Sequence, residues 1–152
     1  MSRRRHSSVL LLQEHKLDAR GARDATMAAR LMGLEARFDA RADGSASRGT
    51  AIIVKPANLG GLSREKVTFK GGEDGTITTA VIVTPERTFD FACVYLPSQP
   101  QERVTTIDKI IKNAWLNKDT ILEADHNCVA DLGRETEGIG PYDNAGAALY
   151  LV

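Results

Sequence analysis

The sequence TITTAVIVTPERTFDFACVYLP, at residues 76–97, contains the clearest strand signal in the chain. Two runs rich in β-branched and aromatic residues, 76–83 and 88–95, flank the short connection at 84–87, which contains Pro85. Such residues favour extended backbone, and a short connection between two such runs is typical of a hairpin. We therefore predict a β-hairpin over residues 76–95.

The sequence after the hairpin predicts a long helix and then a strand. Beyond Pro97 and Pro100, apolar side chains recur at helical spacing, with Glu102 in the first turn. The apolar positions are Val104, Ile107, Ile110, Ile111, Ala114 and Trp115. A short apolar run at 120–122 predicts a strand that ends just before Asp125.

The sequence before the hairpin adds strands and one further helix. The continuous apolar runs at 9–12 and 51–54 are typical of buried strands. The Ala-rich segment after Asp18 predicts a short helix that ends at Gly33, with its apolar face formed by Ala25, Ala28, Ala29 and Met32. Residues 35–42 alternate loosely and predict a strand with one wet face. Helices alternating with strands around a hairpin predict an α/β fold of the α+β kind, with mixed, largely antiparallel sheets.

The composition is that of an ordinary globular protein. Lys plus Arg equals Asp plus Glu at 20 each, which argues against a nucleic-acid binder that depends on a strongly basic chain. The two cysteines, Cys93 and Cys128, do not form a disulfide framework. No stretch approaches the roughly 20 apolar residues of a membrane span. We therefore expect a soluble, intracellular protein with no membrane partner.

Polar side chains follow three of the predicted strands directly. They are Gln13 and Glu14, then Tyr95, and finally Asp125 with Asn127. Two carboxylates from different strands, with an amide and a phenol, suit a hard cation such as Mg²⁺. Other interpretations stay open at this point, because a strand-end Glu is usually a solvated rim residue and Asp-x-Asn is often a turn.

Histidine and cysteine give no comparable signal. His126 and Cys128 lack further ligands at zinc spacing, so zinc is disfavoured. His15 has the sequence context of a surface residue. The charged terminus at Arg3, Arg4 and Arg5 is typical of a solvated segment.

Several segments resemble, in order, motifs of the endonuclease/exonuclease/phosphatase superfamily. They are LLQEHKL at 11–17, RGTAII at 48–53, VYLP at 94–97 followed by Arg103, and ILEADHNCV at 121–129. YDNAGA at 142–147 is also similar to a loop of these proteins. The segment at 121–129 most resembles the corresponding motif in the endonuclease domain of non-LTR retrotransposon reverse-transcriptase polyproteins. The order and spacing of these segments are more specific than any one of them.

The resemblance implies a partial four-layer α/β sandwich and a set of roles. Glu14 would be the ligand of Mg²⁺ or Mn²⁺, and Tyr95 would contact the scissile phosphate. Asp125 would orient or deprotonate the attacking water, and Asn127 would help to hold that aspartate and the phosphate. The implied reaction is hydrolysis of a phosphodiester, with DNA nicking the expected activity and nucleic acid the expected partner.

The resemblance also implies two supporting residues and several departures from the family pattern. Gln13 and Arg103 would hold in place the residues that touch the substrate, without touching the substrate themselves. The family's first strand motif, which ends in Asn, and its late Ser-Asp-His have no match, and Glu123-Ala124 replaces the usual Gly-Gly. We therefore expect residues 1–152 to form a single incomplete domain with impaired activity.

Three alternatives follow from these departures. The chain could be a catalytically dead relic of a nuclease, or a non-catalytic binding module on the same scaffold. An unrelated α/β protein with chance motifs is the third alternative. The family's two sheets come from complementary halves of the chain, so an uncovered sheet face would leave self-association open.

Overall fold

A computed structural model describes residues 8–72 and 74–125 of the chain. Its elements, in chain order, are β1 (Val9–Gln13), α1 (Ala19–Leu31), β2 (Glu35–Asp39), β3 (Thr50–Val54), β4 (Val67–Gly71), β5 (Ile77–Val83), β6 (Thr88–Tyr95), α2 (Pro100–Lys112) and β7 (Thr120–Asp125). Two short 3-10 helices, Pro56–Leu59 and Arg64–Lys66, lie between β3 and β4.

The strands form two sheets, and the predicted hairpin lies at the centre of the larger one. β1, β3 and β2 form an antiparallel sheet in that order. The second sheet has the order β4-β5-β6-β7 and is antiparallel except for the parallel pair β6–β7. The β5–β6 connection is closed by Thr84, whose backbone N–H donates to the carbonyl of Arg87 at 2.9 Å. Both the hairpin and the mixed, largely antiparallel sheets are confirmed.

The two sheets pack face to face, and each helix covers one outer face. The core between the sheets includes Ile52, Val54, Ala80, Ile82 and Cys93. Helix α1 packs against β2, with Asp18 as its N-cap, and α2 packs through Ile107 and Ile110 on the far side of the second sheet. The result is the four-layer order helix–sheet–sheet–helix, which confirms the predicted fold class.

Several local predictions were wrong in their details. β2 has no wet face of charged residues, because Glu35 and Asp39 are both buried. They pair with Val54 and Thr50 of β3 and so point between the two sheets. β4 was not predicted, since it ends at the pair Gly71-Gly72 and the residues before it are polar.

The helical faces also differ from the predicted ones. In α1 the buried residues are Ala22 and Ala29, while Met32 is the C-cap and is exposed. In α2 the buried face is made of Arg103, Thr106, Ile107 and Ile110, whereas Val104 and Ile111 are half-exposed. A buried arginine therefore replaces the valine on the face that we expected to be wholly apolar.

Exposed apolar side chains include two on strands that form sheet edges within the described residues. Leu10 of β1 is 50% exposed and Ile121 of β7 is 49% exposed. The inner faces of the two sheets pack against each other, so the inner faces of β3 and β5 cover one another. Self-association stays a prediction. Within residues 8–72 and 74–125, no helix is long and apolar enough to cross a membrane.

Candidate active site

Three strands end at the same edge of the sandwich and carry residues that the sequence singled out. β1 leads into Glu14, β6 ends with Tyr95, and β7 ends with Asp125. Tyr95 and Asp125 are register partners in the parallel pair. The backbone N–H of Leu96 donates to the carbonyl of Asp125 at 2.8 Å, which holds the two strand ends together.

A contact between the sheets places β1 over β6 at this edge. The thiol of Cys93 donates to the carbonyl of Leu12 at 3.1 Å. Glu14 lies two residues beyond Leu12, and Tyr95 lies two residues beyond Cys93. Burial raises the pKa of Cys93 to about 12, so this thiol stays protonated and acts as a packing and hydrogen-bonding group.

The phenol of Tyr95 lies among three charged side chains. Tyr95 is buried, and burial is the largest cause of a pKa raised above its ordinary value. The charge of Glu14 and a hydrogen bond to its carboxylate raise this pKa further, Asp125 adds to the effect, and Arg48 opposes it. Tyr95 is therefore a neutral hydrogen-bond donor with a carboxylate from each sheet beside it.

Glu14 lies in a turn whose backbone conformation is rarely adopted by residues other than glycine. Its φ is 50°, and Lys16 has a φ of 56°. The turn is attached to the segment before β3, since the N–H of His15 donates to the carbonyl of Gly49 at 3.4 Å and that of Lys16 to the carbonyl of Arg48 at 3.0 Å. The side chain of Glu14 is exposed.

His15 is a half-buried residue of the site, and its interpretation as a surface residue was wrong. Its Nδ1 accepts from the backbone N–H of Leu17 at 3.1 Å, so the ring proton is on Nε2, which donates to the carbonyl of Asp39 at 3.1 Å. Burial lowers the pKa of His15, in agreement with a neutral ring. The ring meets Phe38 edge-on, with centroids 5.6 Å apart. No sequence pattern marks these contacts.

Asp39 is a buried carboxylate that connects β2 to β5 of the second sheet. Arg37 donates to both of its oxygens at 2.9 Å. The hydroxyl of Thr78, from the second sheet, donates to Oδ2 at 2.7 Å and lies 2.8 Å from the hydroxyl of Thr50. A Cβ on Gly71 would lie 1.8 Å from Oδ2, so only glycine leaves room for this carboxylate.

Two arginines hold the segment between β6 and α2. Arg48 forms an ion pair with Glu102 in the first turn of α2. Arg103 is buried and donates to the carbonyls of Pro97 at 3.0 Å and Ser98 at 2.6 Å. These carbonyls follow Tyr95 closely in sequence, so Arg103 fixes the backbone just beyond the phenol.

Solved structures similar to this one include two endonucleases and the catalytic domain of a further protein. The AP endonuclease LMAP from Leishmania major matches with a TM-score of 0.60 and 20% identity, over 86% of this chain and 49% of that chain. The endonuclease domain of TRAS1, a telomere-specific non-LTR retrotransposon, matches with a TM-score of 0.48 and 16% identity, over 95% and 68%. The human Nocturnin catalytic domain matches with a TM-score of 0.39 and 15% identity, over 79% and 51%.

The similarity to the Leishmania enzyme decides the fold. The chain has the endonuclease/exonuclease/phosphatase fold. It spans about half the length of the Leishmania enzyme. No protein-family model matches the sequence, and no curated protein matches it significantly. At these identities the endonuclease/exonuclease/phosphatase fold is established by geometry alone.

The remaining sequence-predicted residues lie partly within and partly outside the described residues. Gln13 is the last residue of β1, half-buried, and pairs with Thr50 across the sheet. Asn127 lies outside the described residues. Glu123, which replaces a family glycine, is exposed on β7 and pairs with Cys93.

The strand ends carry oxygen donors, which are the ligands that a divalent metal such as Mg²⁺ takes. Within residues 8–72 and 74–125, no group of three or more His, Cys, Asp or Glu side chains is placed to enclose a metal ion. Mg²⁺ usually takes only one or two carboxylates and completes its shell with water and substrate phosphate. Glu14 and Asp125, whose charges both raise the pKa of Tyr95, are two such carboxylates. The chemistry of these residues therefore fits Mg²⁺ or Mn²⁺.

A groove of about 670 Å³ opens beside the site, and Arg48 lines it. The groove runs between the segment before β3, the β4–β5 turn and α2. Three basic side chains line it: Arg41, Arg48 and Lys109. Arg41 pairs with Asp43 at 2.5 Å, and Lys109 pairs with Asp74 at 3.3 Å, so these charges are partly compensated. Trp115 is the aromatic side chain that lines the groove.

Proposed function

We propose that this chain belongs to a metal-dependent phosphodiesterase that nicks DNA. The observation that carries the proposal is the buried phenol of Tyr95, whose pKa is raised by burial and by the charges of Glu14 and its register partner Asp125, and lowered by that of Arg48. Two carboxylates, a neutral donor and a cation are the groups that hydrolysis of a phosphodiester needs. The four motif segments and the nuclease fold support the same reaction.

The proposed roles follow from the chemistry of each side chain. Glu14 would hold Mg²⁺ or Mn²⁺, and the bound metal would stabilise negative charge on the phosphoryl oxygens. Tyr95, kept neutral by burial, would donate its hydroxyl proton in a hydrogen bond to a non-bridging phosphate oxygen. Asp125 would orient the attacking water and accept its proton, and Asn127 would help to hold Asp125 and the phosphate.

Nucleic acid is the partner that the surroundings of this site favour. Arg48, which pairs with Glu102, lines both the site and the adjoining groove. Arg41 and Lys109 supply positive charge to the groove that Asp43 and Asp74 partly compensate. Basic side chains along a groove attract a phosphate backbone without reading its sequence. The zero net charge of the chain is compatible with this, because a local rim of cations is sufficient.

The test is nicking of supercoiled plasmid DNA with Mg²⁺, with Mn²⁺ and with a chelator. Asp125→Asn should lower the rate by about 10²–10⁴-fold, the usual contribution of a general acid or base. Glu123→Gln is the matched control, since it makes the same kind of change two residues earlier on the same strand, at an exposed position. Its rate should equal that of the wild type.

Two outcomes would overturn the proposal. Equal nicking by wild type and Asp125→Asn would assign the cleavage to a contaminant or to other residues. DNA binding without cleavage in either metal would favour the non-catalytic binding module on the same scaffold. A single-turnover assay with a fluorescent duplex separates slow cleavage from none.

A further inference from the structure

We infer that His15 is a positioning residue for Glu14, because its imidazole joins the turn that carries Glu14 to β2, and its backbone N–H joins the same turn to the segment before β3. This inference rests on the proposed role of Glu14 as the metal ligand. His15 itself would touch neither the metal nor the substrate. Its function would be to fix the direction in which the Glu14 carboxylate leaves the backbone.

The turn needs such support, because its conformation is intrinsically unfavourable. Glu14 and Lys16 are two of the four residues other than glycine with positive φ in the described part of the chain. Side chains with a Cβ rarely adopt this conformation unless the surrounding structure enforces it. Residues held in this way are concentrated at functional sites, where the backbone sets the aim of a side chain.

The imidazole supplies this support from two directions. Its Nδ1 accepts from the N–H of Leu17 at 3.1 Å, which closes the turn on itself. Its Nε2 donates to the carbonyl of Asp39 at 3.1 Å, which connects the turn to the end of β2. A ring that uses both nitrogens on fixed backbone groups has one orientation, and the backbone around Glu14 is fixed with it.

The ring of His15 lies so close to Gly49 that a larger residue at position 49 would not fit. A Cβ on Gly49 would lie 2.4 Å from Cε1 of His15, closer than real Cβ atoms approach other heavy atoms. Asp39 is fixed in turn, since Thr78 of the second sheet donates to its carboxylate at 2.7 Å. A continuous series of contacts therefore runs from the second sheet, through Asp39 and His15, to Glu14.

A purely structural role for His15 makes a different prediction from a positioning role. A residue that only packs would lower the melting temperature when removed and leave metal affinity unchanged. A positioning residue would weaken metal binding beyond any effect on stability. Changes to groups that orient metal ligands typically weaken metal affinity about 10–100-fold. Metal affinity and melting temperature are therefore measured on each variant.

The experiment is calorimetric titration of the full chain with Mg²⁺ or Mn²⁺. His15→Ala should raise the dissociation constant about tenfold or more. His15→Asn keeps an acceptor for the Leu17 N–H, because Asn accepts from the N–H two residues ahead in an Asx turn. It should therefore retain part of the affinity that His15→Ala loses. Ile110→Val, in the core under α2, should lower the melting temperature and leave the dissociation constant unchanged.

A glycine pair provides a second, independent measurement. Gly49→Ala would push the imidazole out of place, and it should weaken metal binding about as much as His15→Ala. Gly33→Ala is the matched control, since Gly33 also has a positive φ, of 74°, and a Cβ there would meet nothing within 4 Å. Gly33→Ala should lower the melting temperature and leave the dissociation constant unchanged.

The possible failures are distinguishable. If the wild type binds neither Mg²⁺ nor Mn²⁺, the proposed function is overturned, and the positioning role falls with it. If the wild type binds and both His15→Ala and Gly49→Ala bind equally well, only the positioning role is overturned. If Ile110→Val weakens binding as strongly as His15→Ala, the effect is one of general stability and the inference is wrong.

Discussion

The space between the two sheets is mainly apolar at one end, where Glu35 is the charged exception, and hydrogen-bonded at the other. At the apolar end the facing side chains include Val54 and Ile82, both fully buried or nearly so. At the polar end the buried side chains are Thr50, Thr78 and Asp39, joined by hydrogen bonds of 2.7 and 2.8 Å. The same strands supply both ends, since β3 runs from Thr50 to Val54 and β5 contains both Thr78 and Ile82.

The comparison separates what stabilises the fold from what orients the site. Burial of apolar side chains contributes about 1.5–3 kcal/mol each, whereas a typical hydrogen bond contributes only about 0.5–1.5 kcal/mol net. Hydrogen bonds are directional, however, and fix positions that apolar contacts leave adjustable. The apolar end therefore supplies most of the stability, and the polar end supplies the geometry around Glu14 and Tyr95.

The largest expected loss of stability follows a change at the apolar end. Ile82→Ala removes a side chain that is 1% exposed, and it should lower the free energy of unfolding by about 2–5 kcal/mol. Val83→Ala is the matched control, because Val83 is the next residue and is 38% exposed. Urea unfolding measures both, and equal losses would show that the apolar end does not carry the stability assigned to it.

A smaller loss is expected at the polar end. Thr78→Val keeps the shape of the side chain but removes the donor to Asp39 and the acceptor near Thr50. The buried groups left unsatisfied should cost about 1–3 kcal/mol. Thr68→Val, at an exposed position of the neighbouring strand β4, should change stability by no more than about 0.5 kcal/mol. A neutral Thr78→Val would contradict the assignment of Asp39 to a buried network.

The sequence predicted the apolar end better than the polar end. Continuous apolar runs such as 9–12 and 51–54 identify buried strands without any knowledge of their partners. The polar end escaped prediction because its residues are individually unremarkable in sequence. Asp39 was assigned to a loosely alternating strand with a wet face, and only the β2–β3 register directs it between the sheets.

The candidate site was predicted in part for the same reason. The strand ends that carry Glu14, Tyr95 and Asp125 follow from apolar runs and motif spacing, and the register of β6 and β7 brings two of them together. The support by His15 could not be predicted, since it depends on a positive φ at Glu14 and on contacts with distant residues. Backbone conformation of this kind leaves no signal in a single sequence.

The N-cap of α1 offers a smaller change, outside both ends of the sandwich. Asp18 accepts from the N–H of Gly21 at 2.6 Å. Asp18→Ala should lower the free energy of unfolding by about 1 kcal/mol, the usual value for a lost cap. Asp24→Ala removes an exposed carboxylate of the same helix that lies 3.9 Å from Arg20, and it should have a negligible effect. Equal effects would mean that Asp18 does not cap the helix.

The smallest expected effect has the opposite sign and concerns Glu14 itself. A residue with a Cβ at a φ of 50° is strained, whereas glycine adopts this conformation readily. Glu14→Gly should therefore be more stable than Glu14→Ala, by up to about 1 kcal/mol in urea unfolding, while both variants lose the proposed metal ligand.

Comparison of these two variants separates backbone strain from the chemistry of the side chain, because both lack the carboxylate. A gain for Gly over Ala would mean that the fold tolerates an unfavourable backbone at Glu14, as expected where a side chain is kept for function at the expense of stability. If Gly is less stable than Ala, the turn does not have positive φ in solution. The polar end would then lose its strained residue, and the contrast with the apolar end would reduce to composition alone.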